Sequence, residues 1–142
     1  MPLPMTTPRE EKEALPDCVG EFLGCIEAAT MPQCRAFADG AILDATVPNW
    51  RFTVSGGTSV RDEFARWYAD SGRFEEVQRA PLPDGELVEF VLTWQENGIP
   101  HTCHQAHRLE VRDDHIVRDT VWCGGRWPAS LLAEMEAAAN AG

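Results

Sequence analysis

Apolar positions in the first half of the chain recur mainly at helical spacing, and in the second half they alternate. From about Glu10, Val19, Phe22, Leu23 and Ile26 fall at i, i+3, i+4 and i+7, which predicts a helix with one apolar stripe ending near Ala29. Thr30-Met31-Pro32-Gln33 has capping-box spacing with proline in the first turn, so a short second helix is expected, burying Cys34 and Phe37 and stopping at Gly40. Ala41 to Val47 reads as a strand and Asn49 to Val54 as an irregular extended piece. Thr58 or Ser59 then caps a third helix carrying Val60, Phe64, Trp67 and Tyr68 on one side, which Asp70-Ser71-Gly72 ends. Arg73 to Ala80 is a strand, and 81–85 a loop. Glu86 to Glu96 alternates strictly, with Val88, Phe90, Leu92 and Trp94 on one side. Asn97-Gly98 is a hairpin turn, and Pro128 opens a last helix with Leu131, Leu132 and Met135 along one side.

Between them lies Ile99 to Gly125, two long strands joined at Asp113-Asp114. A two-residue loop there sets Arg112 opposite His115. This register puts Cys103, Gln105, His107, Leu109 and Val111 on one face, opposite Ile116, Arg118, Thr120 and Trp122. Arg108 then faces Asp119 on the other. Helices followed by a meandering sheet make the fold class α+β: a cone-shaped barrel of strongly curved, mostly antiparallel sheet, with three helices in the N-terminal half and one at the C-terminus. Residues 1–9 read as a loose tail, 10–138 as a single domain and 139–142 as a frayed end.

At 142 residues, with 44% hydrophobic and 25% charged content, the chain buries a core without staples. Its net charge of −11 argues against nucleic acid or an anionic membrane as a partner. No apolar run of membrane-spanning length exists, and MPLPMTTPREEKE has no signal-peptide core, which points to the cytoplasm. Five cysteines without a CxxC pair suit reduced thiols; Cys18 and Cys25, seven apart on one helical face, read as small hydrophobes.

FADGAILDATVP after two helices, the Gly57-to-Arg61 turn into a helix, the strand ending LTWQENG and the pair HRLEVRDDHIVRDTVW together resemble the nuclear-transport-factor-2-like superfamily over roughly residues 15–127. That group includes ketosteroid isomerase, limonene epoxide hydrolase and SnoaL-type polyketide cyclases. The resemblance implies a cone with a deep apolar pocket, often a homodimer, without fixing a reaction. Ketosteroid isomerases carry an Asp general base just after the first strand; here Ala45 falls at that place and Asp44 one position earlier. His107 falls about where those enzymes carry a second acid.

His107, on an inward and otherwise apolar face, is the candidate proton carrier, its structural alternative being a strand-joining hydrogen bond to Thr120 or Gln105. Asp44 is the candidate partner carboxylate. Tyr68, the single tyrosine, could donate to an oxyanion, and Gln105 and Arg118 could polarise a carbonyl or carboxylate. Trp50, Trp94 and Trp122 with Phe64 and Phe90 would line a pocket for a flat apolar ligand, with Thr120 among its polar groups. The spacing of His101, Cys103, His104 and His107 argues against a metal site, because His104 faces away and His101 to His107 spans ~20 Å at ~3.3 Å per residue, unless a bulge brings some of them together. Neither metal nor cofactor is expected. An outer patch of Val91, Ala106, Val117 and Val121 suggests a homodimer through the sheet. The reading is a cofactor-independent acid/base enzyme (isomerase, cyclase or lyase) acting on a hydrophobic small molecule. The alternative is a non-catalytic small-molecule-binding or interaction module of the same fold.

Overall fold

A computed structural model describes residues 17–141. Helix α1 (Asp17–Ala28) is followed by a single 3-10 turn (Met31–Gln33), strands β1 (Phe37–Val47) and β2 (Trp50–Ser55), and helix α2 (Gly57–Trp67). Strands β3 (Gly72–Leu82), β4 (Gly85–Glu96), β5 (Ile99–Arg112) and β6 (His115–Cys123) come next, then the short β7 (Trp127–Pro128) and helix α3 (Ala129–Ala141). The strand order is β2-β1-β6-β5-β4-β3, with β7 beside β5; β1 runs parallel to β6 and every other pairing is antiparallel. The sheet is curved and unclosed, and α1 and α2 cover its concave face.

The apolar stripe of α1 is buried as its spacing predicts: Val19, Phe22 and Ile26 are fully enclosed and Leu23 nearly so. The predicted start of this helix at Glu10 and the tail before it lie outside the described residues. The second predicted helix is only the 3-10 turn. Thr30 makes no side-chain cap, Cys34 is already extended, and Phe37 opens β1 by pairing with Ile116. Sheet hydrogen bonding, including Ile116 N–H to Ala36 C=O at 2.7 Å, takes the backbone groups that further helical turns would have used. Helix α2 begins at Gly57, earlier than a Thr58 or Ser59 cap would place it. Gly57 presses so close to β1 that a Cβ there would meet the Ala38 carbonyl oxygen at 2.5 Å. At the other end, α3 runs to Ala141, past the expected frayed end at 139.

Both hairpin turns form where the sequence puts them. Asn97-Gly98 and Asp113-Asp114 have positive φ throughout, as two-residue turns matched to strand twist require, and Arg112 pairs with His115. The register then departs from the uninterrupted one. Val111 pairs with Ile116 but Glu110 pairs with Arg118, so Val117 is an extra, bulged residue on β6. Beyond the bulge every β6 side chain changes face: His107 is level with Val121, Leu109 with Asp119, and Gln105 with Cys123. Asp119 and Val121 are therefore fully buried inside, while Arg118, Thr120 and Trp122 stand on the outer face. Had the ladder continued unbroken, Arg118 would have entered the core beside Leu109, at a large desolvation cost.

Candidate functional site

The concave face of β4 and β5 carries Val88, Phe90, Leu92 and Trp94 beside Cys103, Gln105, His107 and Leu109, with Asp119, Val121 and Cys123 from β6. His107 is 0% exposed. Its ring stacks on Phe90 (5.4 Å, 24°) and meets the edges or tilted faces of Phe22 and Phe64 at 5.5 and 6.1 Å. Inside this aromatic shell Nδ1 lies 2.9 and 3.0 Å from the two Asp119 carboxylate oxygens, and Nε2 lies 2.9 Å from Gln105 Oε1. The Tyr68 hydroxyl donates to the same Gln105 oxygen at 2.6 Å, and Gln105 Nε2 approaches Cys123 Sγ at 3.4 Å. With Gln105 so turned, both ring nitrogens sit within hydrogen-bond reach of side-chain oxygens, so the imidazole bridges a carboxylate on one side and an amide on the other. Among the described residues no buried side-chain nitrogen or oxygen lacks a partner.

A cavity of about 380 Å³ opens above this chain, within the ~300–1,000 Å³ range of small-molecule sites. Trp67, Trp94, Leu92 and Cys103 form its walls, and Tyr68, Gln105 and Cys123 present its polar groups. Arg66 and Arg126, largely exposed, border it; Arg126 lies 5.5 Å over the Trp94 ring and is ion-paired with Glu96. Burial is the largest influence on Tyr68, with further upward contributions from Cys103, Asp119 and Cys123; together they push its hydroxyl well above the usual phenol value despite the Gln105 hydrogen bond. Burial and the neighbouring Cys123 raise the Cys103 thiol to about 12. Both groups are thus protonated at neutral pH, hydrogen-bond donors rather than nucleophiles.

Of the residues picked from sequence, Tyr68, Trp94 and Gln105 line the cavity, and His107, Phe64 and Phe90 lie buried beneath it. The others are elsewhere. Trp122 (47% exposed), Thr120 and Arg118 are turned outward by the Val117 bulge, and Trp50 (69% exposed) ends β1's hairpin in solvent. Asp44 also faces outward, between the inward Leu43 and Ala45, so it is no partner for His107. It receives two hydrogen bonds from Arg51, at 3.0 and 2.8 Å, and one from Arg118 at 3.4 Å. The carboxylate that does meet His107 is Asp119. Trp67, Cys123, Arg66 and Arg126 complete the cavity border without having been singled out, although Trp67 belonged to the expected apolar side of its helix.

The Arg51 hydrogen bonds, opposed by burial and reinforced by the charges of Arg51 and Arg118, hold the Asp44 carboxyl below its ordinary range. A carboxyl lowered on folding stabilises the protein fully above its unfolded value of about 3.9, and that contribution disappears as pH falls through the lowered folded value. Asp44→Asn should therefore be less stable than wild type at pH 7, with the difference starting to shrink below pH ~4 and vanishing only once pH has fallen past the lowered folded value, in paired denaturant titrations. A constant difference down to the acid transition would show that Asp44 acts through packing.

No family model and no curated protein matches the chain. Its structure is similar to a protein with a ketosteroid isomerase-like fold from Catenulispora acidiphila DSM 44928, in complex with trimethylamine: 20% identity over 84% of this chain and 92% of that one, TM-score 0.60. It is similar also to an LEH-like epoxide hydrolase from M. tuberculosis, at 14% identity over 75% and 80% of the two chains, TM-score 0.60. An NTF-2 like protein of unknown function from Burkholderia xenovorans LB400 matches at 15% identity over 76% and 80%, TM-score 0.55. Likeness at this level of identity speaks to architecture, and with the cone, its inward cavity and its strand order it establishes that the chain has the nuclear-transport-factor-2-like fold.

Proposed function

We propose that the protein is a cofactor-independent acid/base enzyme, of the isomerase, cyclase or lyase kind, acting on a flat apolar molecule with a carbonyl or hydroxyl group. The observation that carries this reading is the buried run Asp119–His107–Gln105–Tyr68, ending at the cavity floor. A titratable pair enclosed at 0% exposure is an expensive way to join two strands already paired by backbone hydrogen bonds, and proton transfer gives it a use. The substrate ring packs between Trp67 and Trp94 while its oxygen meets the Tyr68 hydroxyl. Asp119 holds Nδ1, and Nε2 becomes available to the substrate when the Gln105 side chain swings aside. Asp119 and Gln105 are in this account positioning residues.

A second reading, binding without chemistry, is favoured by a specific observation: His107 does not itself border the cavity, because Gln105 stands between them. Fused-ring enones incubated with the protein in deuterated buffer separate the two. Enzyme-accelerated deuterium uptake at the carbon next to the carbonyl, abolished in His107→Ala, supports catalysis. Tryptophan-fluorescence titration showing the same enones bound without accelerated uptake would leave the binding module.

The partner reading is a homodimer through the convex sheet face. The fully buried Val121 does not belong to that patch, which carries Leu87, Val91, Ala106 and the half-exposed Trp122 among charged residues. Sedimentation should then show a dimer in the wild type and monomers for Trp122→Glu; a monomeric wild type would end the idea. Among the described residues no helix is long and apolar enough to cross a membrane. A cytoplasmic location is part of the same proposal, resting on the sequence's odd number of cysteines without a CxxC pair.

A further inference from the structure

Away from the cavity, where α1 meets the chain just beyond the 3-10 turn, three metal-ligating groups converge. Glu21 and Cys25 lie four residues apart on one side of α1, and Cys34 follows the turn. One Glu21 carboxylate oxygen and the two Sγ atoms all lie within 4.8 Å of one another. Tetrahedral donors at zinc's ~2.0–2.3 Å bond lengths stand about 3.3–3.8 Å apart, so contractions of about 1 Å complete three corners. We propose that Glu21, Cys25 and Cys34 form a binding site for a thiophilic divalent cation of the zinc class, with water as the fourth ligand.

The local backbone favours such a site. Thr30 N–H closes on the Cys25 carbonyl at 3.0 Å and Cys34 N–H on the Met31 carbonyl at 3.0 Å, fixing the chain reversal that brings the two cysteines together. Arg35 N–H donates to Glu21 Oε2 at 2.5 Å, orienting the carboxylate from behind as the outer contacts of metal ligands do. Three potential ligand atoms from two separate segments thus converge on one point. Cys34 is buried, Cys25 is partly exposed and Glu21 is at the surface, so the open corner faces solvent.

Binding replaces two S–H bonds with two sulfur–metal bonds and releases two protons, with no change of oxidation state, so affinity rises with pH. The ion would tie α1 to the stretch leading into β1, outside the cavity, and so would add to stability.

The test titrates the reduced full chain with Co²⁺ and then Zn²⁺. Expected are one equivalent of Co²⁺ with tetrahedral d–d bands and a sulfur-to-metal charge-transfer band, displacement by Zn²⁺, and release of two protons per ion. Cys25→Ser and Cys34→Ser should each weaken binding at least tenfold and reduce the charge-transfer band. Glu21→Gln should weaken binding while keeping that band. Cys103→Ser/Cys123→Ser should leave it unchanged, which assigns the site to α1 rather than to the cavity thiols. Should Cys34→Ser not fold, Cys25→Ser and Glu21→Gln, altered nearer the surface, carry the test. The proposal is overturned by a wild type without the charge-transfer band, by a band indifferent to Cys25→Ser, or by Cys25 and Cys34 joining as a disulfide in air while binding no metal when reduced.

Discussion

Asp119→Ala should lower the unfolding free energy by about 3–5 kcal/mol, because it leaves the His107 ring, enclosed by Phe22, Phe64 and Phe90, without its carboxylate. Against a total stability of about 5–15 kcal/mol this is a large fraction, and the melting temperature should fall by about 10 °C. The informative comparison is His107→Leu/Asp119→Val, which replaces both partners with apolar side chains suited to neighbouring strands. Buried ion pairs are often matched by well-packed hydrophobes. The Gln105 oxygen would keep the Tyr68 hydroxyl as its donor. The double variant should thus recover most of the loss, to within about 1–2 kcal/mol of wild type. It should at the same time have no deuterium-exchange activity. Stability recovered and activity absent would mean that the pair is there for chemistry. A double variant as unstable as Asp119→Ala, measured in the same denaturant series, would make the pair a structural element of the β5–β6 ribbon.

The pair that matters most in that comparison is also what the sequence concealed. Turn chemistry is local, so Asp113-Asp114 and Asn97-Gly98 could be read directly, and with them the long antiparallel ribbon. Strict alternation from Val88 to Trp94 likewise marks the concave face, and the Asn97-Gly98 turn carries that face across to Gln105 and His107, level with Phe90 and Val88. The Val117 bulge is different. The segment HIVRDTVWC supplies apolar residues to either face: Ile116 and Trp122 in one register, Val121 and Cys123 in the other. Only the cost of burying Arg118 distinguishes the two, and that cost depends on how tightly Leu109 and its neighbours are packed in three dimensions. One extra residue then exchanged Trp122, Thr120 and Arg118 for Cys123, Val121 and Asp119. The outward direction of Asp44 is hidden for another reason. Inward Leu43 and Ala45 flank it, and neither the strength of its Arg51 pairing nor the parallel partner β6 is visible in β1 alone. The Cys25–Cys34 approach depends on the chain reversal after α1, which residue spacing alone does not reveal.

Gln105→Leu should slow acid/base turnover by about 10²–10³-fold while leaving ligand affinity within a few-fold of wild type. The substitution nearly preserves volume, so Trp67 and Trp94 keep their apolar surfaces for the ligand ring. It removes the acceptor shared by the Tyr68 hydroxyl and His107 Nε2, and the two losses differ in consequence. Tyr68 borders the cavity and can turn its hydrogen toward ligand or water. His107 is sealed behind the new leucine, at a cost of about 1–3 kcal/mol for an unmet buried polar group, and it can no longer exchange a proton with the cavity. General acid/base catalysis of ~10²–10⁴-fold is what such an interruption removes. Gln105→Ala is the counterpart, since it vacates room for a water of ~30 Å³ between Nε2 and the cavity. That water can carry a proton, so Ala should retain more activity than Leu although it removes more of the side chain. Rates ordered wild type, Ala, Leu, with similar enone affinities by fluorescence, would trace the proton route through this position. Equal rates in all three would take His107 out of the chemistry and leave the cavity as a binding site.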